Sequence, residues 1–318
     1  MTYSIRSCLD VEASAKWEFA GVSPLAETVE AAHKLLTPLH EFNLLKALRR
    51  FESGAIPFSL GTGCSGTDVT VKIFQLMISF WAFKYGIDLT DKFDHKFSCE
   101  MVPFKQRFIR TQFQRLGVIF GLLKDLEGDR ATNLLTNTTV VIASVLIYMA
   151  GFVCKARSPA NKNAKANKGC CERGNTVTGE SLHSCRKYIV KNSVLLFILE
   201  NVPTLLEEND PDANLAHKSD AEYIKAVFAE DGYTVGWVER DAVEFGSITT
   251  RRRLCFLGHK GIDKSGETMA FLRSVVLKLS GRLPDHPQER FYQSFTTLCS
   301  SQMRTGLRSF AHETQNVL

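Results

Sequence analysis

The sequence predicts an α/β fold with a doubly wound, mostly parallel sheet, and three observations lead there. Short apolar runs recur from about residue 55 to 258, each ending in polar, Gly or Pro residues, as strands covered by helices on both faces do. Segments with apolar residues at helical spacing lie between them. With 318 residues, 44% hydrophobic and 23% charged, the chain can bury one substantial core, and its composition is neither disordered nor fibrous.

The elements follow in chain order. Residues 26–52 carry helical spacing interrupted by Pro38, predicting two helices that lead into the core. PFSLGTGCSGTD reads as a short strand breaking into a Gly-rich turn, with the helix VTVKIFQLMISFWAFKYG behind it. KFSCEMVPFKQRFIRTQF repeats that order. VIFGLL, SVLIYMAGF and VLLFILENVP are further strands; DAEYIKAVFAE is a helix; GYTVGWVER and RRLCFLGHKG close the series. Residues 155–182, polar, basic and rich in Asn, Gly and Ser, form a long loop of the kind that is usually functional or disordered. The organisation is an N-terminal helical extension (1–54), an α/β domain (55–260) and a partly helical tail (261–318) with one clear pattern, TMAFLRSVVLKLSGRL.

A net charge of +5 and a pI near 8.7 allow a polyanionic partner without demanding one. Nine scattered cysteines, with no CxxC pair and no zinc spacing, indicate a reduced, intracellular protein and no metal site. The start lacks a secretory signal. The apolar run from Val140 to Cys154 is shorter than the roughly 20 residues that span a bilayer, so it reads as core and no membrane is expected.

The chemistry gathers where strands end. Gly61, Gly63 and Gly66, with Cys64, Ser65 and Thr67 between and after them, form a turn where backbone can approach a ligand, or a Gly-rich turn of no special role. Glu100, followed by Met101, ends the next strand, where an acid can accept bonds from both hydroxyls of a ribose. Asp125 is read as ending the third strand, either meeting an adenine amino group or simply solvated. Together they favour a nucleoside-bearing cofactor.

Cys154 ends the next strand and is followed by Lys155 and Arg157, cations that favour a thiolate. Six basic residues against one acid, Glu172, between 155 and 173 give that loop a reason to close over phosphates. Glu200, ending an apolar strand, should have a raised pKa and hold a proton, unless it only caps the following helix. Arg251 and Arg253 fall on one face by strand alternation and suit a carbonyl or phosphate oxygen, or form ordinary basic surface.

In this order the parts resemble the cytosine-C5 DNA methyltransferase family: CSGTD its first cofactor motif, SCE its ribose-binding acid, AGFVCKARS its PCQ motif, ENVP its ENV motif and FGSITTRRR its QxRxR motif. The resemblance covers about residues 55–258. It implies a Rossmann-like S-adenosylmethionine-dependent methyltransferase fold over 55–260 and S-adenosyl-L-methionine as cofactor. It further implies Cys154 as nucleophile at cytosine C6, Glu200 at N3 and the amino group, and Arg251 with Arg253 near the base O2. DNA is the implied substrate, in the nucleus or elsewhere inside the cell. Val153, Lys155 and Thr249 replace the family's proline and two glutamines, and no counterpart of the target-recognition region or last motifs is evident after Gly258. The alternatives are a tRNA cytosine as substrate, a non-catalytic relative that binds cofactor or nucleic acid, and reliance on a partner protein for target recognition.

Overall fold

The computed structural model describes residues 38–245 and 250–261. Helix α1 (Pro38–Glu52) leads into β1 (Phe58–Gly63), α2 (Val69–Tyr85), β2 (Phe93–Cys99), α3 (Pro103–Gln112) and β3 (Ile119–Phe120). A short hairpin follows, β4 (Arg130–Asn133) with β5 (Thr138–Val141), then β6 (Ile147–Ala150), α4 (Cys170–Arg173), α5 (Val177–Lys191), β7 (Leu196–Asn201), α6 (Asp220–Glu230), β8 (Tyr233–Asp241) and β9 (Arg252–Lys260). The main sheet has seven strands in the order β3-β2-β1-β6-β7-β9-β8. β9 runs antiparallel to both β7 and β8, and the other pairings are parallel. This is the doubly wound, mostly parallel sheet that the apolar runs predict.

Strand alternation sends side chains into two cores. Phe58, Leu60 and Ile147 pack with Ile78 and Trp81 of α2, and Leu48 of α1 joins them. Phe97, Tyr148, Phe197 and Phe256 pack on the opposite side with Tyr188 of α5 and Phe228 of α6. Helices therefore cover both faces, which is why the strands read as continuous apolar runs.

Several expectations are corrected, though not the break at Pro38, which opens α1, where its missing N–H costs nothing. The predicted helix before it and the helix in the tail lie outside the described residues. VIFGLL yields only a two-residue strand. The apolar run from Val140 is divided between the end of β5 and β6. Residues 155–182 are not one long loop, because α4 and the first turns of α5 occupy their second half. Among the described residues no helix is long and apolar enough to cross a membrane.

Beneath the Gly-rich turn lies a buried polar group. Asp68 is 1% exposed, accepts the Ser98 hydroxyl on Oδ2, and has His95 Nε2 3.9 Å away. Burial raises the Asp68 carboxyl to about 6, against the lowering bonds from Ser98, Thr62 and Ser65. Burial likewise lowers His95 to about 4. The two act oppositely on stability. An acid that keeps its proton longer when folded loses stability as pH rises from about 4 to 6, whereas a histidine that resists protonation gains it over about 4 to 6.5. Asp68→Asn should therefore expose the histidine slope. Thermal or urea unfolding should show the variant matching wild type near pH 4 and exceeding it by about 2–3 kcal/mol at pH 7.5.

Candidate active site

β1 and β6 are register partners whose last residues, Gly63 and Ala150, lie side by side. From there the chain proceeds outward to β2 and β3 on one side and to β7 on the other. Such a reversal opens a crevice at the carboxyl edge of the sheet, where open α/β folds bind ligands.

The turn at 64–68 forms one wall. Cys64, Gly66 and Asp68 all take left-handed backbone, with φ of 47°, 61° and 53°. The turn is fastened to β2, because the Ser65 N–H donates to Cys99 O at 3.0 Å and the Cys99 N–H donates to Ser65 Oγ at 3.0 Å. Gly61 and Gly63 also answer to the core. Both lie inside β1, where a side chain would strike the Phe97 ring at 2.5 Å and the Tyr148 hydroxyl at 2.1 Å. Their lack of a side chain makes room for core aromatics.

Glu100 follows β2 and is buried, its Oε2 accepting the Gly66 N–H at 2.8 Å and its Oε1 the Val102 N–H at 2.9 Å. Each carboxylate oxygen keeps a further lone pair, so the group fits the paired hydroxyls of a ribose. Met101, 64% exposed, offers an apolar face beside it, and Thr67 is exposed at the mouth. These residues fit a nucleoside-bearing cofactor. Glu100→Ala should weaken S-adenosylhomocysteine binding by roughly 1.5–3 kcal/mol in calorimetry. Asp125 lies beyond β3 in a 3-10 turn rather than at the strand end, where its Oδ2 accepts the Leu122 N–H at 2.7 Å.

The opposite wall is the turn after β6. Cys154 is partly exposed, and its carbonyl accepts the N–H groups of Arg157 at 3.0 Å and Ser158 at 2.8 Å. α5 holds this turn on both sides of the thiol, through Ser181 Oγ to the Val153 N–H at 3.0 Å and Thr178 Oγ1 to the Ala156 N–H at 3.1 Å. Sequence reading missed both residues, and small hydroxyl side chains on a helix give no periodic signal. It also assigned no role to Asn201, which is buried and donates from Nδ2 to Phe152 O at 2.9 Å. That bond ties the end of β7 to the turn carrying Cys154.

Glu200 faces the same turn: a Cβ on Gly151 would lie 2.9 Å from its Oε2, so a side chain there would displace the carboxylate. Its Oε1 is engaged by Arg253 Nε, so the purely apolar setting expected around this acid is corrected to an ion pair. Arg251 precedes β9, is exposed, and donates its backbone N–H to Asp241 Oδ1 at 2.8 Å. Of the two arginines, only Arg253 has its side chain joined to Glu200. Two other thiols, Cys64 and Cys255, feel the charges of Glu100 and Glu200 respectively. Burial, with Glu100 and Glu200 respectively as the next cause, pushes them to about 12 and about 11.

The basic segment after Cys154 is less free than its charge suggests. Arg157 is wholly buried, so it neither faces phosphate nor flanks the thiol as expected. Lys168 donates to Glu208 O at 2.8 Å, and Arg173 to Lys168 O at 2.5 Å. Lys155, Lys162 and Lys165 are exposed. Replacing Lys162 and Lys165 by Ala should flatten the salt dependence of duplex binding by up to about 1.8 in log–log slope, at ~0.9 per lost phosphate contact. Adding Lys168→Ala should change it little.

Sheet order, flanking helices and crevice together define a Rossmann-like methyltransferase fold. The family model for C-5 cytosine-specific DNA methylases matches residues 123–315, more than half of the sequence, and the chain belongs to that family. S-adenosylmethionine is the methyl donor of these enzymes. The matched span continues past Gly258, into residues outside the described ones. The DNA (cytosine-5-)-methyltransferase DMT5 of Cryptococcus neoformans is 27% identical over 195 residues, 61% of this chain, but the chain spans only 7% of that relative's length. Solved structures similar to it include a DNA modification methyltransferase encoded in an E. coli prophage (16% identity, TM-score 0.38, 66% of this chain and 49% of that one). Another is the Entamoeba histolytica methyltransferase EhMeth (11% identity, TM-score 0.40, 66% and 55%).

Proposed function

We propose that this chain methylates C5 of cytosine in DNA through a covalent bond between Cys154 and C6. The observation that carries the reading is the coupling of Cys154 to Glu200 across the crevice, through the Asn201 to Phe152 bond and the close approach of Glu200 to Gly151. Bound beside Glu100 and Met101, S-adenosylmethionine supplies an electrophilic methyl group.

The remaining chemistry belongs to this chain. Cytosine C5 is a poor nucleophile until a thiolate adds to C6 and pushes an electron pair toward it. A proton from Glu200 to N3 neutralises the charge that develops in the ring. Arg253 holds Oε1, so Oε2, on the Gly151 side, is the oxygen directed at the base. Once C5 is methylated, its proton leaves to water, the C5–C6 double bond re-forms, the Cys154 thiolate is expelled and N3 returns its proton to Glu200. Inside a duplex the ring is out of reach, so the base must be flipped out. Lys155, Lys162 and Lys165 are the cations available to the backbone around it.

Incubation with methyl-labelled S-adenosylmethionine and either duplex DNA or tRNA tests the reading, and label at cytosine C5 of DNA is the expected result. Label in tRNA alone would transfer the same chemistry to RNA. Bound S-adenosylhomocysteine without label in either nucleic acid would make the chain a non-catalytic relative.

A further inference from the structure

Arg157 has the most unusual environment of any cation among the described residues. Its side chain is 0% exposed, yet it stands three residues from Cys154 in a polar, basic segment. A buried guanidinium is tolerated only where its donors find acceptors. Here Nη1 donates to Ala164 O at 2.7 Å and Nη2 to Thr204 O and to Glu207 Oε2 at 3.3 Å, while Nε makes no hydrogen bond and faces Asp220 Oδ2 at 3.3 Å as an ion pair. Asp220 is itself wholly buried at the start of α6 and accepts the N–H groups of Gly169 and Cys171. Cys170, Cys171 and Asp220 have metal-ligand spacing, but the guanidinium already supplies the positive charge that this carboxylate needs.

The bond to Thr204 is reciprocal, because the Thr204 hydroxyl donates back to Arg157 O at 2.5 Å. Thr204 lies four residues past Glu200 as Arg157 lies three past Cys154. With Asn201 bound to Phe152 O, the two segments are joined at two points; Cys154 lies between the joined residues of its own segment, and Glu200 immediately precedes Asn201 on the other.

We propose that Arg157 is a positioning residue: paired with Thr204, it locks the nucleophile turn to the segment carrying Glu200 and so fixes the thiol relative to the proton donor. Its catalytic consequence rests on the reading of Cys154 as nucleophile. A lysine cannot replace it, since one ammonium lacks the planar fork that reaches Ala164, Thr204 and Asp220 together.

Thr204→Val removes the hydroxyl while keeping the side-chain volume and the carbonyl that accepts from Arg157, and Thr204→Ser is the conservative control. Three readouts are needed: hydrogen exchange at the Arg157 and Ser158 amides, which donate to Cys154 O; the rate of adduct formation on 5-fluorocytosine DNA; and S-adenosylhomocysteine affinity. In Thr204→Val, exchange should accelerate and adduct formation slow by about tenfold or more, with KM for DNA and cofactor affinity unchanged within about twofold. Thr204→Ser should behave as wild type. Wild-type exchange and rate in Thr204→Val, or equal loss in Thr204→Ser, would overturn the proposal. Faster exchange in Thr204→Val from a wild type that forms no adduct would uphold the lock and overturn the reading of the chain as a methylase of DNA.

Discussion

Glu200→Gln should slow methylation by roughly 10²- to 10⁴-fold while S-adenosylhomocysteine binds as before, because the amide keeps the volume and an acceptor but has no proton to give to N3. Stability should change little. The Glu200 side chain is 37% exposed, and a partly solvated ion pair such as that with Arg253 contributes about 1 kcal/mol or less. Cofactor binding is insulated as well, since its acid, Glu100, follows β2 on the far side of β1. Single-turnover methylation at saturating cofactor measures the chemical step directly. A variant within threefold of wild type, against the roughly 10² or more expected of a general acid, would reduce Glu200 to a residue that orients Arg253.

What the sequence disclosed and what it concealed divide along physical lines. Buried strands announce themselves as apolar runs, so β1, β6, β7 and β9 were legible, as were the residues at or just past the carboxyl ends of the first three: Gly63, Cys154, Glu200. The fastenings were not. Helix α5 buries Thr178, Gly179, Ser181, Ser184 and Cys185, small residues whose hydrophobic periodicity is weak, and its start was absorbed into a supposed loop. The one available signal was Thr176 as N-cap, whose side chain accepts the Gly179 N–H. Hairpin β4–β5 was hidden by its threonines, although Asn137, at φ 55°, marks its turn.

Charge misled more than polarity did. Arg157 in a basic segment reads as solvent-facing, and only tertiary structure shows Asp220, 63 residues later, holding it in the interior. Glu200 beside an apolar strand reads as a lone acid for the same reason. Its partner, Arg253, arrives from an antiparallel strand 53 residues on. Periodicity reports which face a side chain takes, whereas ion pairs between distant strands leave no local trace.

Cys154→Ser should abolish both methylation and the denaturant-resistant adduct with 5-fluorocytosine DNA, and cofactor affinity should stay within about twofold of wild type. An alcohol at neutral pH is a far weaker nucleophile than a thiolate, while the change in volume is small. The fluorinated base makes the test sharp: fluorine at C5 cannot leave as the proton does, so the double bond does not re-form and the C6–S bond persists. Four of the other thiols are poor substitutes. Cys64, in the cofactor turn, and Cys255, opposite Glu200 on β9, are held protonated by burial at about 12 and about 11. Cys99 and Cys185 are buried, and both are held above their ordinary range by that burial. Gel electrophoresis under denaturing conditions, with peptide mapping of the trapped species, separates the outcomes. Loss of the adduct with retained cofactor binding places the nucleophile at Cys154. An adduct that survives in Cys154→Ser must be carried by a different cysteine, and the alignment of AGFVCKARS with the nucleophile motif would then be wrong.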